Sequence, residues 1–299
     1  MVAIADLGRV AASLLAQPVS DGFWVDRARA VAQRLGDLQQ ARPDAVLYLL
    51  FYEAARRLER YSSHHALVCA ATVRACALDL GCGADQVRSL MGAALTMNLS
   101  ITALQDELVY RERALSLEQR QAIDRHPAQG AEMLRSMGLD DALWLGLVAQ
   151  HHVEPGPDDT GDASDPVRRL AALLRRVDVF TAKLSPRKSR RSLPPMQAVH
   201  HAYLGHHGRA DPIGMALTRA VGIHPPGSVV TLVNGNTAIV LRRGPRPSRP
   251  VVASLVGADG RALARPLLHH PDSAETLVRA VTRLDEQRHP IDHALLLSL

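Results

Sequence analysis

Three histidines in this sequence have an arrangement that could bind a metal ion. His126 precedes Pro127 at a predicted helix start, and the pair His151 and His152 stands at a predicted helix end. Neutral imidazoles are common ligands of transition metals, and three from different helices can close on one ion while leaving a position for water. On spacing alone, histidines at the surface or at helix ends are the simpler interpretation.

Two polar side chains are predicted inside apolar helical faces. Asp178 lies on a predicted helix in which most surrounding positions are aliphatic, so its carboxylate needs a partner. Asn98 continues the stripe of Val87, Met91 and Ala94, whose spacing of four, three and four marks one helical face. Asn98 is either a core asparagine that ties two helices together or the remnant of a site where a carboxylate once stood.

These residues depend on a long helical region for their positions. From about residue 22 to 222, apolar residues recur at spacings of three and four, as on one face of a helix. The acidic segment 153–166, rich in Gly and Pro, is predicted to be an exposed loop. Helix boundaries are predicted at Ser116 with Gln119 (a capping box), at Gly138 (a helix stop) and at Asp165 with Pro166 (a helix start).

After Gly222 the sequence is typical of strands. Residues 228–233 and 236–243 predict two strands joined at Asn234 and Gly235 by a tight turn of the primed type. Two more strands are predicted in 250–256 and 262–268. The sequence therefore predicts a mainly α fold with a small C-terminal antiparallel β unit. We divide it into an N-terminal helical segment (1–60), a helical domain (61–224) and a β-rich extension (225–299).

Composition restricts the functional class. The 299 residues are 47% apolar, and 35 basic against 30 acidic residues give a net charge of +5. Because the basic residues are scattered, we expect no nucleic-acid partner. Asp6 and Arg9 interrupt the N-terminal apolar run, and we expect neither a signal peptide nor a membrane span. Free, mostly buried cysteines and a cytoplasmic location are also expected. The apolar stripe of 44–61 is either core cover or a dimer face.

Several ordered motifs between about Tyr61 and Val240 resemble the HD-GYP family of HD-type metal phosphohydrolases, many members of which hydrolyse cyclic di-GMP. RHPAQGAEML is similar to the family's RHPxxGxxxL, AQHHVE to its HHE step, and RVDVFTAKLSPR to ADVFDALTSxR. The resemblance implies an HD-type helical bundle. It also implies a set of metal ligands: His126, His151, His152, Asp178 and His65, the last with neighbouring His64 as an alternative.

The departures from the family pattern concern its chemistry. AALTMNLSITALQDEL resembles the stretch that carries the His-Asp dyad, but Met97 and Asn98 occupy the dyad positions. A thioether and a neutral amide cannot supply the charge of a carboxylate that bridges two metal ions. The family's GYP loop is also missing. We expect the pocket half near His65 and Asp178 to be empty. The other three histidines could still hold one divalent ion (iron, manganese or zinc), with water completing its coordination.

The resemblance with these departures implies a catalytically degenerate regulatory protein in cyclic di-GMP signalling that acts through ligand or protein binding. The alternative is a noncanonical metal-dependent cyclic di-GMP phosphodiesterase that uses the residual histidines. Arg187 and Arg190 match positions near the family's basic segment and are candidate phosphate ligands, although a solvated basic loop after a helix is the simpler explanation. A cyclic dinucleotide and a protein partner or second copy are the expected partners.

Overall fold

The fold is known from a computed structural model, which describes residues 2–56, 58–154, 165–188, 193, 195–204, 208–271 and 277–299. The described part of residues 2–221 is mainly helical, and an antiparallel sheet follows. The helices are α1 (Val2–Ala16), α2 (Trp24–Ala41), α3 (Pro43–Ala54), α4 (Tyr61–Asp79), α5 (Ala84–Thr96), α6 (Thr102–Leu108), α7 (Leu117–Ser136), α8 (Ala142–Gln150), α9 (Pro166–Leu184), α10 (Pro195–Tyr203), α11 (Pro212–Val221) and α12 (His293–Leu296).

The predicted helix boundaries near the histidines are confirmed. Ser116 Oγ accepts a hydrogen bond from the Gln119 amide, and the Gln119 side chain accepts one from the Ser116 amide, which completes a capping box before α7. Gly138, with a φ of 90°, follows the end of that helix. The Asp165 carboxylate accepts from the Val167 amide and begins α9. Most of the predicted loop at 153–166 lies outside the described residues.

Helix α4 runs through the centre of the helical part. It contacts α3, α5, α9 and α11, and most of its residues are buried. One hydrophobic cluster extends from Leu7 in α1 to Val221 in α11. The elements that carry the site residues thus share a packed interior, in which small displacements of a side chain are costly. The three-part division of the chain stays a prediction.

The C-terminal sheet has the order β4-β3-β2-β1-β5 and is antiparallel throughout. The four predicted strands are confirmed. Strand β5 and helix α12 were not predicted. The strands are β1 (Val229–Leu232), β2 (Thr237–Arg242), β3 (Val251–Val256), β4 (Ala262–His269) and β5 (Val278–Val281).

The primed turn predicted between β1 and β2 is wrong. Gly235 has a φ of 87°, but Asn234 does not have the positive φ that every primed turn requires at its first central residue. Instead Leu232 and Asn236 pair across a three-residue loop, and the Asn234 side chain accepts a hydrogen bond from the Asn236 amide. The side-chain bond and a single left-handed glycine close the loop.

Helix α3 lies between the helical core and the sheet. Leu50 and Phe51 belong to the helical hydrophobic cluster, whereas Tyr48 and Tyr52 pack with Val229 and other residues of the sheet. Both faces of the apolar stripe are therefore buried. Of the two alternatives for this stripe, core cover is the one that the structure supports.

Within the part of the chain that the structure describes, one run could cross a membrane by length and composition alone. It comprises residues 84–108, and 67% of its apolar window is buried inside the fold. Helices at the centre of a hydrophobic core have the same composition, so this run is weak evidence of a membrane span.

Candidate metal centre

His126 lies in the middle of α7, not at a helix start as predicted. The capping box at Ser116 starts the helix at Leu117, ten residues before Pro127. Pro127 has no amide hydrogen and leaves the carbonyl of Ile123 without its helical donor. His126 Nδ1 lies 2.5 Å from that carbonyl oxygen and donates to it. The proline thus fixes the histidine's tautomer and leaves Nε2 with a free lone pair.

His151 and His152 follow the last residue of α8, as predicted. His151 is completely buried, and its Nδ1 lies 2.7 Å from the Val148 carbonyl oxygen, so this histidine also has its proton on Nδ1. His152 is exposed. The ring centroids of His151 and His152 lie 4.5 Å apart. The ring centroid of His126 lies 5.0 Å from that of His151 and 4.6 Å from that of His152. The structure therefore brings the three predicted ligands together.

Two lone pairs face each other in this cluster. Nε2 of His126 and Nε2 of His151 are 3.1 Å apart. Neither nitrogen carries a proton, because in each ring the proton is on Nδ1 and bonds to a backbone carbonyl. Burial lowers the pKa of His126 to about 4 and that of His151 to about 3. Both rings are therefore neutral near pH 7. Two unprotonated nitrogens at this distance are placed to share one metal cation.

The cluster fits a transition metal ion. Two nitrogen ligands of a tetrahedral ion, each about 2.05 Å from it, lie about 3.3 Å from each other, close to the distance between the two Nε2 atoms. Burial also lowers the pKa of His152. Nitrogen atoms of all three rings lie within 4.8 Å of one another. Neutral imidazoles at this spacing match the donor set that zinc and iron prefer.

A second group lies between α4 and α9. His65 Nε2 is 2.7 Å from Asp178 Oδ1, and the Asp178 side chain is 17% exposed. Burial opposes a charge on either residue, but the neighbouring groups outweigh it. The hydrogen bond and charge of His65 lower the pKa of Asp178 to about 2. The pKa of His65 is raised by Cys69 and Tyr61 and, after them, by the hydrogen bond to Asp178. The negative charge of Asp178 also opposes the lowering of the pKa of His151 and His152. Asp178 therefore acts on the tri-histidine cluster as well as on His65.

Of the two alternatives for the first family histidine, only His65 contacts Asp178. His64 points elsewhere, with its Nε2 2.9 Å from the carbonyl oxygen of Leu50. The ring of His65 stacks on Tyr61, with a centroid distance of 5.4 Å, and its Nδ1 is buried with no hydrogen-bond partner among the described residues. The position of the imidazole therefore depends on the stacking and on the atoms around Nε2.

Arg187 is half-buried and reaches the same region. Its Nη2 donates to the Tyr61 hydroxyl at 3.2 Å, and its guanidinium carbon lies 5.6 Å from the centre of that ring. Its Nε is buried without a partner among the described residues. Such a guanidinium has donors left for an anion. Arg190, the other predicted phosphate ligand, lies outside the described residues.

The dyad positions carry no charge. Met97 is fully buried in the core, and α5 ends at Thr96, so Asn98 does not continue the apolar stripe as predicted. The half-buried Asn98 lies in a turn and lines a small cavity with Ser62 and Gln105. The helix ends early because the chain turns into a short 3-10 segment after Asn98, which sequence periodicity does not reveal.

Sequence reasoning overlooked Cys69 and Tyr61. Cys69 Sγ lies 3.5 Å from His65 Nε2 and forms a group with His65 and Asp178 whose donor atoms lie within 4.8 Å of one another. The spacing of four between His65 and Cys69 places both on one face of a helix and was a signal that could have found the pair. Tyr61 has the same relation to His65, four residues before it.

Comparison with known proteins supports the resemblance. No family model matches the chain. The sequence is 26% identical over 204 residues to a cyclic di-GMP phosphodiesterase of Pseudomonas aeruginosa, covering 67% of this chain and 48% of that protein. This chain thus spans about half the length of the curated relative it matches.

A solved structure extends the comparison to the fold. A protein from Bdellovibrio bacteriovorus, described as an HDG"Y"P protein, is similar with a TM-score of 0.53 and 15% sequence identity. The match covers 72% of this chain and 68% of that one. In sequence and in fold, this chain therefore resembles the HD-GYP proteins, as its motifs predicted.

Proposed function

We propose that this chain is a catalytically degenerate HD-GYP-like regulatory protein in cyclic di-GMP signalling. On this proposal its helical part is an HD-type bundle, and it acts by binding a cyclic dinucleotide or a protein partner, including a second copy of itself. The chemistry at the dyad positions carries the proposal. Buried Met97 and the neutral amide of Asn98 replace the two residues that would anchor and bridge a pair of ions.

One divalent ion still has a place in this proposal. His126, His151 and His152 would hold it, and the facing lone pairs of the first two supply the strongest support. Iron, manganese or zinc bound there would supply a positive centre that attracts a phosphate oxygen. The three rings are neutral, so the ion would keep its full charge for an anionic ligand.

Arg187 supports binding of a phosphodiester. Its guanidinium rests on Tyr61, which in turn stacks on His65, and its buried Nε has no partner among the described residues. Charge-assisted bonds from arginine to phosphate are among the stronger hydrogen bonds in proteins. On this proposal, an ion held by the histidines and the Arg187 guanidinium together retain a cyclic dinucleotide without cleaving it.

The proposal is tested by following binding and turnover on the same sample. Protein loaded with iron, manganese or zinc is titrated with cyclic di-GMP by calorimetry, and the mixture is then analysed for linear dinucleotide. Binding without product supports the regulatory function. Neither binding nor product limits the protein to a scaffold role and contradicts the dinucleotide part of the proposal. His201→Ala, a change at an exposed histidine on α10, is the matched control for histidine-to-alanine changes in the tri-histidine cluster.

The alternative is a noncanonical phosphodiesterase, favoured by the tri-histidine cluster next to the Asp178 carboxylate. It predicts product formation by the unaltered chain that is lost in His151→Ala. A double variant, Met97→His with Asn98→Asp, separates the two possibilities further. If the missing dyad is what prevents hydrolysis, this variant gains turnover, and if the bundle has lost more than the dyad, it stays inert.

A further inference from the structure

The group formed by His65, Cys69 and Asp178 has the composition of a metal site in its own right. Cys69 lies one helical turn after His65 on α4, and Asp178 faces both from α9. All three are enclosed: His65 and Cys69 are at most 2% exposed, and Asp178 is 17% exposed. The family resemblance assigns no role to Cys69, and the loss of the dyad at Met97 and Asn98 predicted an empty half of the pocket here.

The distances agree with a tetrahedral ion. A sulfur about 2.3 Å and a nitrogen about 2.05 Å from zinc lie about 3.5 Å from each other. Cys69 Sγ and His65 Nε2 are 3.5 Å apart. The contact of 2.7 Å between His65 and Asp178 is a hydrogen bond, and it would have to open by about 0.6 Å to admit an ion.

The charges also balance. A divalent ion bound by one thiolate and one carboxylate is neutralised, and a buried neutral complex avoids the large cost of an unpaired charge. The imidazole of His65 would give up its Nε2 proton, and Cys69 its thiol proton, both to solvent. Neither Met97 nor Asn98 could supply this charge. The thiolate thus takes the electrostatic part that the missing dyad carboxylate would have had.

We propose that His65, Cys69 and Asp178 form a second metal site, with a thiolate ligand, that selects a borderline ion such as Zn²⁺. Water completes the coordination, since three protein ligands are present. The site lies beside the tri-histidine cluster, and the Asp178 carboxylate acts on both. The inference deepens the proposed function, because it rests on the same pocket binding metal, but it requires a ligand that the family pattern does not contain.

Cobalt replaces zinc with an optical signature that tests this site. The full chain is stripped with a chelator and titrated with Co²⁺ while the near-ultraviolet absorption, where thiolate-to-cobalt charge transfer appears, is recorded. We expect about two ions per chain and a charge-transfer band. Cys69→Ser should lose the band and about one ion. Cys76→Ser, at another fully buried cysteine of α4, is the matched control and should keep both.

The outcomes separate this inference from the proposed function. His126→Ala should lose about one ion and retain the thiolate band. One ion without the band in the unaltered chain overturns the second site and leaves the tri-histidine ion standing. No bound cobalt at all overturns both. The unaltered chain's spectrum is decisive alone, so the proposal can be refuted even if Cys69→Ser does not fold.

Discussion

Acid should destabilise the metal-free protein through His126, and the size of the effect follows from its burial. The folded-state pKa of His126 is about 4, against 6.5 for an unburied histidine. Between these values the unfolded chain binds a proton that the folded chain does not. The stability that the fold gains from keeping His126 neutral is therefore complete above pH 6.5 and is lost as the pH falls toward 4.

The magnitude follows from the difference of about 2.5 pKa units. Each unit corresponds to about 1.4 kcal/mol, so at pH 4 the free energy of unfolding should have lost about 3 kcal/mol through this residue alone. This is a large part of the stability of an ordinary domain. His151, with a pKa lowered to about 3, acts in the same direction and extends the loss to lower pH.

Urea unfolding at a series of pH values measures this effect. The protein is dialysed against a chelator, and the free energy of unfolding is compared between pH 7.5 and 4 for the unaltered chain and His126→Gln. Between these two pH values the free energy of unfolding of the variant should fall less than that of the unaltered chain, by the contribution of His126, whatever the variant's absolute stability. This fall with pH is the slope. His201→Ala should not change the slope. Equal slopes in the unaltered chain and His126→Gln would refute the assignment of a buried, neutral imidazole.

Three further predictions concern packing, metal affinity and ligand binding. Gly92→Ala would bring a Cβ into the ring of Trp144, so thermal unfolding should show a loss of about 1 to 3 kcal/mol, and an unchanged midpoint would contradict this packing. Pro127→Ala restores an amide that competes with His126 Nδ1 for the carbonyl oxygen of Ile123. Competition with a chelator should then show zinc bound about 10-fold more weakly, and an equal affinity would mean that the proline does not orient the ligand. Arg187→Ala should weaken cyclic di-GMP binding about 10-fold by calorimetry, and an unaltered affinity would remove this residue from the proposed surface.

Local signals were enough to predict much of the architecture. The capping box at Ser116, the helix stop at Gly138 and the four strands after Gly222 depend on nearby residues, and each was predicted. Strand β5 and helix α12 depend on distant partners instead. Val278–Val281 pairs with β1, and His293 bonds to the hydroxyl of Tyr48, which the local sequence does not encode.

The site shows the same division. The order of the motifs brought His126, His151 and His152 to one cluster, as predicted. The place of His126 within α7 was wrong because a side-chain bond to Ile123 compensates for the proline, and such compensation is not visible in periodicity. The spacing of four between His65 and Cys69 was visible in the sequence, but the group that they form with Asp178 was missed because helix packing brings Asp178 to the same point.

The most direct test of the account is the hydrolysis of cyclic di-GMP by the metal-loaded, unaltered chain. The account predicts no linear dinucleotide above the protein-free background with iron, manganese or zinc, because Met97 and Asn98 supply no bridging carboxylate. Product that accumulates with the unaltered chain and disappears in His151→Ala would contradict it and assign the protein to the phosphodiesterases.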